Sequence, residues 1–352
     1  VKLAKLRDVL KERELDALLI TSGYNRRYMT NFTGTAGIAV VSENDAVFIT
    51  DFRYMEQAAE QVKDFRIVQH EKTIIEEVAE QVKAMKISRL GFEKEDLTYG
   101  MYELYKSNVD AELVPTAGLV EKLRIVKTPE ELEILRQAAK IADDAFTHIC
   151  GYIKPGMTEL EVANELEFFM RKQGAASSSF DTIVASGVRG ALPHGVASDK
   201  KIQSGELVTM DYGALYNGYI SDITRTVAVG EPTEQMREIY EITLAAQKLA
   251  VEGFKPGMTG READAIARDY ITEKGYGDAF GHSTGHGIGL EVHEAPGLSS
   301  RSDMVLEPNM TVTAEPGIYL PGIGGVRIED DLVITENGCE RLTHSTKELQ
   351  IL

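Results

Sequence analysis

The segment Lys154-Pro155-Gly156-Met157-Thr158 returns as Lys255-Pro256-Gly257-Met258-Thr259, an offset of 101 residues. In each copy the threonine is placed to cap a helix. A glutamate three positions later, Glu161 or Glu262, completes a capping box. Each helical pattern then ends at a glycine sixteen residues after its threonine, Gly174 and Gly275. Phe180 and Phe280 continue the correspondence at an offset of 100, and His194 and His293 at 99. Five identical residues alone describe a common loop type. Matching caps, helix lengths and later landmarks describe a duplication. Two copies of so large a unit imply a pseudo-symmetric domain rather than a solenoid.

The duplicated region leaves more than a hundred residues ahead of it, and 352 residues suffice for two domains. Residues 17–21, 37–41, 46–50 and 89–92 are short apolar runs that read as strands. Helical stretches, 54–62 and 73–85 among them, lie between these runs. That alternation predicts an α/β domain with a mixed or parallel sheet. It holds one histidine, His70, and no polar constellation, so no chemistry is assigned to it. Near residue 128 a new helix is announced by Thr128 as cap, Pro129 at the first helical position and Glu131 closing the box. Leu132, Leu135, Ala139, Ala142 and Phe146 share one face of it. The expected domains are 1–122 and 123–352.

Composition excludes several functions. A net charge of -18 with no Lys/Arg-rich run argues against a nucleic-acid partner. No apolar run approaches the ~18 residues a membrane helix needs. The helical stripe Leu3, Leu6, Val9 and Leu10 is broken by Lys5, Arg7, Asp8 and Lys11, unlike the apolar core of a signal peptide. Cys150 and Cys339, far apart, read as two thiols in a reducing compartment. A cytoplasmic protein is expected.

A handful of the 56 carboxylates need another explanation than solubility. Val208-Thr209-Met210-Asp211 is an apolar run ending in an acid, and Val312-Thr313-Ala314-Glu315 has the same form. Each leads through a Gly-containing turn into a second strand-like segment. Asp222 follows Asp211 by eleven residues, and Glu329 follows Glu315 by fourteen. Strand, turn and return strand can set such pairs side by side. Four acids at apolar strand positions would be costly to bury without partners, and only Arg225 and Arg327 lie close by in sequence. Two divalent ions satisfy the set more naturally.

Residues 282–294, His-Ser-Thr-Gly-His-Gly-Ile-Gly-Leu-Glu-Val-His-Glu, hold three of the seven histidines. Gly285, Gly287 and Gly289 forbid a stable helix and with it a helical pair of histidine ligands. The alternation predicts a strand, with His282 and His286 on one face and His293 opposite unless a bulge intervenes. One imidazole is the expected nitrogen ligand. The others suit proton transfer or oxyanion stabilisation.

The ordered set Asp211, Asp222, His286, Glu315 and Glu329 resembles the dinuclear site of the pita-bread metallopeptidases, which include methionine aminopeptidase, Xaa-Pro aminopeptidase and Xaa-Pro dipeptidase. The resemblance covers residues ~128 to 352. It implies an α+β pita-bread domain with internal pseudo-two-fold duplication behind the α/β N-terminal domain. It makes all five residues metal ligands, with Asp211 spanning both ions, Glu329 bridging, and Glu315 also the proton shuttle. It places His194 and His293 against the substrate and its tetrahedral intermediate, and His282 in the pocket wall. Arg327 orients the site beside the substrate-binding residues. Attack by a hydroxide shared between the ions is the implied mechanism. Oxygen-rich ligation with one imidazole suits Mn²⁺ or Co²⁺, with Zn²⁺ or Fe²⁺ as alternatives.

The leading domain resembles that of creatinase, prolidase and aminopeptidase P, and methionine aminopeptidases normally lack it. Creatinase shares the fold without the carboxylate set. Ala191-Leu192-Pro193-His194-Gly195 resembles the prolyl-specific members. The short leading domain favours an Xaa-Pro dipeptidase over an aminopeptidase P acting on longer peptides. A silent peptide-binding descendant would be expected to lose ligands. The leading domain is expected to gate the cleft and to support a homodimer.

Overall fold

Short apolar runs in the first third of the chain become the strands of one mixed sheet. The computed structural model describes residues 1–352, which divide into two units, Val1–Arg124 and Ile125–Leu352. In the first, α1 (Lys2–Glu12) leads into β1 (Ala17–Ile20), α2 (Gly23–Thr30), and the hairpin of β2 (Ile38–Ser42) and β3 (Ala46–Thr50). There follow α3 (Met55–Gln61), β4 (Arg66–Gln69), α4 (Ile74–Ala84), β5 (Arg89–Glu93), α5 (Tyr99–Asn108) and β6 (Glu112–Thr116). The strand order is β4-β3-β2-β1-β5-β6, antiparallel across β3-β2-β1 and parallel elsewhere. Every residue of β1, β2 and β3 is buried, which is why they read as unbroken apolar runs rather than alternating ones.

The short helix α6 (Glu121–Ile125) leads into the second unit. There α7 (Pro129–Cys150) starts at the Thr128–Glu131 capping box, and α8 (Glu159–Lys172) at the Thr158–Glu161 box. β7 (Ser177–Ser178), β8 (Ile183–Ser186), β9 (Glu206–Tyr212), β10 (Ala214–Tyr216), β11 (Tyr219–Ile220) and β12 (Ile223–Val229) complete the first half. The second half repeats the plan with α9 (Glu234–Gly253) and α10 (Gly260–Glu273), the latter at the Thr259–Glu262 box. Its strands are β13 (Gly285–Gly287), β14 (Glu294–Leu298), β15 (Thr311–Ala314), β16 (Gly317–Leu320), β17 (Gly324–Arg327), β18 (Asp330–Ile334) and β19 (Cys339–Arg341). No helix is long and apolar enough to cross a membrane.

The duplication extends to individual hydrogen bonds. Glu159 N–H donates to Lys200 C=O (3.0 Å) and Leu160 N–H to Ser198 C=O (3.0 Å). One copy later, Gly260 N–H donates to Met304 C=O (2.9 Å) and Arg261 N–H to Ser302 C=O (2.8 Å). Gly156 N–H bonds Ile202 C=O, and Gly257 N–H bonds Leu306 C=O. Each half also packs its own helix pair on its own strands. Phe146, Leu166, Val208 and Val227 belong to one core, and Ile239, Ala267, Val312 and Leu332 to the other. Burying a side chain of this size contributes about 1.5–3 kcal/mol, so each half is stabilised largely from within. An isolated bridge between Thr224 and Glu329 joins the two.

Candidate metal centre

Asp211, near the end of β9, and Asp222, just ahead of β12, share a face. In this antiparallel pair Asp211 lies opposite Thr224, and opposed residues share a face. Asp222 is two residues from Thr224, and strand side chains alternate with period two, so Asp211, Asp222 and Thr224 project together. The second half repeats this. Thr313 opposes Asp331 in the pairing of β15 with β18, so extending the alternation one pair places Glu315 across from Glu329 on the same face. Pro316 interrupts the ladder there, and β16 with β17 forms a separate hairpin tip. Glu315 and Glu329 thus sit at the interruption of one long hairpin, where their side chains are free to converge.

The histidine run departs from the expected strand. Only Gly285–Gly287 is extended, with a register shift against β14, and residues 288–293 bend back. His293 therefore comes round to His286, the ring centroids 4.4 Å apart, rather than lying on an opposite face. Two features make the bend. The Glu294 carboxylate accepts from Leu290 N–H (3.0 Å) and Glu291 N–H (3.1 Å). At Gly287 a Cβ would lie 2.3 Å from Ala295 O, so only glycine admits this approach. His286 Nδ1 is 2.9 Å from Gly287 C=O. A carbonyl only accepts, so Nδ1 carries the proton and Nε2 is directed at the acids. It lies 3.1 Å from Glu315 Oε1 and 3.6 Å from Asp222 Oδ2.

Donor atoms of Asp222, His286 and Glu329 all lie within 4.8 Å of one another. Arg327 Nη2 donates to Asp211 Oδ2 (2.7 Å), Thr224 Oγ1 to Glu329 Oε2 (2.6 Å), and Thr313 Oγ1 to Glu315 Oε1 (3.1 Å). Arg225, the other arginine near these acids in sequence, instead pairs with Asp330 at 2.7 Å. Asp211 Oδ1, Asp222 Oδ1 and Glu329 Oε1 remain buried without a hydrogen-bond partner. Each such atom costs about 1–3 kcal/mol, more when charged. Burial first, then the charges of neighbouring acids, pushes Asp222 and Glu329 well above the usual carboxylate range. Burial also tends to raise Glu315, but the His286 hydrogen bond and charge prevail and hold it down to about 2. An excess of buried acid, orphan oxygens converging on one imidazole nitrogen, and a single arginine in contact: these residues fit divalent cations.

The raised carboxylates carry a sign that can be tested. Groups whose folded pKa is raised stabilise the metal-free protein below the unfolded carboxylate range, near pH ~4, and that contribution is lost as pH rises through the raised values. A cation takes the place of the protons. Its apparent affinity is therefore expected to rise about tenfold per pH unit for each proton released. The thermal shift on adding Mn²⁺ to chelated protein should be larger at about pH 8 than at about pH 5.5. An equal or smaller shift at the higher pH would contradict this electrostatic account.

Around the five residues stand others. His282 Nδ1 donates to Ser283 C=O (2.8 Å), leaving Nε2 to accept from the Tyr319 hydroxyl at 2.7 Å. That hydroxyl accepts from Arg327 Nη1 (2.9 Å), so Arg327 joins His282, through Tyr319, to Asp211. Burial lowers His282, keeping it neutral near pH 7, and raises Tyr319 to about 12. His194 and His293 are exposed, and the charge of His194 acts on both His282 and His293. Thr224, Tyr319 and Asp331 are absent from the set read from sequence. Asp331 Oδ2 accepts from Asp222 N–H (2.8 Å), with Oδ1 unpartnered. The signal for two of them was available: Thr224 follows Asp222 by two residues, and Asp331 follows Glu329 by two.

Residues 133–336 match the family model of metallopeptidase family M24. The chain belongs to that family. Residues 2–126 match the creatinase/prolidase N-terminal domain. This M24 member is 63% identical to a solved Xaa-Pro dipeptidase from Bacillus anthracis, with a TM-score of 0.99 over 100% of this chain and 99% of that one. It is 47% identical to an Xaa-Pro dipeptidase of Pyrococcus furiosus over 99% of both chains. To an X-Pro aminopeptidase structure from Thermotoga maritima it is 42% identical, with a TM-score of 0.92 over 97% of this chain and 99% of that one. The fold is accordingly a creatinase-type α/β domain followed by the pita-bread domain, and the chain is a metallopeptidase that uses divalent ions.

Proposed function

We propose that this M24 peptidase hydrolyses the Xaa-Pro bond of dipeptides. The observation that carries the reading is the convergence of Asp222, His286 and Glu329 beneath two exposed histidines, His194 and His293. Xaa-Pro dipeptidases at 63% and 47% identity add their support. Asp211, Asp222, His286, Glu315 and Glu329 would hold two divalent ions. Four carboxylates and one imidazole make a hard-leaning set that suits Mn²⁺ or Co²⁺. When bound, such ions polarise the scissile carbonyl and bring the pKa of a water toward ~7. The residues do the rest. Glu315 accepts the proton of the attacking water and returns it to the proline nitrogen, which must be protonated to leave. His293 and His194 donate to the oxygen on which charge develops. For His293 burial, then the charge of His286, lowers the imidazole, so at neutral pH it donates through one N–H. Arg327 and Thr224 fix the directions of Asp211 and Glu329.

Specificity follows from what proline lacks. Its nitrogen has no hydrogen and its ring fixes the backbone angle. A wall built against that ring leaves the N–H of any other residue buried and unpaired, at about 1–3 kcal/mol or roughly 5- to 150-fold. Ala-Pro is therefore expected to be cleaved at least about tenfold faster than Ala-Ala by kcat/KM at equal metal loading. Equal rates would leave a general metallo-dipeptidase. The likeness to an X-Pro aminopeptidase supports a second reading, action on longer peptides. Ala-Pro-Ala in the same assay separates them, since a dipeptidase scarcely cleaves the tripeptide.

A further inference from the structure

His194 sits in a stretch that few of its own side chains hold in place. From Ser186, at the end of β8, to Ser198 the chain makes one 3-10 turn, Gly187–Ala191, and a single bridge from Val196 to Ile183, and is otherwise irregular. Val188, Leu192 and Val196 point outward, 54%, 52% and 48% exposed. Of its three buried residues, Ser186, Gly190 and Gly195, the two glycines contribute backbone contacts only, Gly190 against Gly325 and Gly195 against Ala185. A surface loop of this kind is ordinarily mobile. Yet three of its points converge on one carboxylate.

Glu159, the first residue of α8, has a fully buried side chain. Its Oε1 accepts from Ser186 N–H and Ser186 Oγ, both at 2.8 Å. Its Oε2 accepts from Ser198 N–H (3.1 Å), from Ser198 Oγ (2.6 Å), and from Arg189 Nη1. Arg189 Nη2 also bonds Val196 C=O at 2.9 Å. The start, middle and end of the segment are thus tied to one buried anion. A helix needs no such residue at this position, because the Thr158–Glu161 box already caps it.

The other half holds its histidine segment differently. Glu159 corresponds to Gly260 at the offset of 101, and His194 to His293 at 99. A Cβ on Gly260 would lie 2.1 Å from Gly297 O and 2.5 Å from Ser302 Oγ. There the segment after His293 rests directly on the helix start. The first half makes the equivalent backbone bonds from its helix start and adds to them those of the Glu159 side chain.

We propose that Glu159, acting through Arg189, Ser186 and Ser198, is the positioning residue for His194. The idea rests on the reading above that His194 meets the substrate. Glu159 itself touches no reacting atom. It closes the segment into one conformation, so that His194 is in place before substrate arrives. Displacing a catalytic contact by about 1 Å costs on the order of 10²-fold in rate.

The test uses the full-length, Mn²⁺-loaded enzyme with kcat and KM on Ala-Pro. R189Q is the main variant, because Arg189 is itself partly exposed and glutamine can still donate a hydrogen bond to the buried Glu159 carboxylate. E159Q removes the negative charge of the anchor, and R189K keeps the positive charge that R189Q removes. R189Q should lower kcat/KM roughly 10- to 100-fold, with metal content unchanged and R189K recovering part of the loss. In R189Q/H194A the rate should fall no further than in H194A alone, since both remove the same contact. Losses that multiply, or wild-type turnover in R189Q and E159Q while H194A is impaired, overturn the positioning role and leave the His194 reading intact. A silent H194A overturns both.

Discussion

Asp222→Ala is expected to abolish turnover, by about 10³-fold or more in kcat/KM, the scale of removing a central electrostatic element. Asp222 belongs to the tightest cluster of donor atoms and is buried to 4% exposure, with His286 Nε2 3.6 Å away. Alanine there removes one of the three residues whose donor atoms lie closest together. Elemental analysis of the variant should find fewer than two ions per chain. Wild-type protein stripped with chelator should lose activity and regain it with Mn²⁺ or Co²⁺. Undiminished turnover after exhaustive chelation would sink the two-ion mechanism.

His293→Ala and His194→Ala should behave in the opposite way toward the metal. Both histidines are exposed, whereas the four acids and the imidazole of the centre are buried or half-buried. Each variant should therefore keep its metal content while losing on the order of 10²–10³ in kcat, as for one oxyanion donor. His293 stands 4.4 Å from His286, ring to ring, so its removal also tests whether that packing holds His286 in place. Loss of metal in His293→Ala would reassign the residue from substrate to ligand support. Retained metal with unchanged kcat would remove it from the reaction altogether.

How far these residues were legible in sequence depended on the range of the interaction that places them. Asp211 and Asp222 stood out because a strand run ending in an acid needs explaining, and the local alternation then sets their faces. The capping boxes at Thr128, Thr158 and Thr259 are three-residue events and were read correctly. For His293 the sequence leaves the face open to a bulge, and the bulge that decides it depends on the Glu294 carboxylate and on contact between Gly287 and Ala295. Tyr319 reads as an ordinary strand residue until β16 and β17 fold beside His282. Arg225 and Arg327 look alike in sequence, each beside a metal-centre strand. Only the fold sends one to Asp330, among Lys347 and Thr343, and the other to Asp211. Asp330 and Asp331 likewise read as a solvated acidic pair, yet they face opposite sides of β18 and both are buried.

The contrast between Glu159 and Gly260 bears on how such an enzyme can change over generations. Position 260 admits one amino acid, because any Cβ there meets Gly297 O, so the His293 side of the cleft is inherited unaltered or lost. Position 159 and its partners Ser186, Arg189 and Ser198 can be exchanged one at a time, each exchange loosening the His194 segment by a degree. Lineages that acquire a new peptide preference should accordingly carry their substitutions around residues 186–198. The opposite wall, built on bare backbone, should stay as it was.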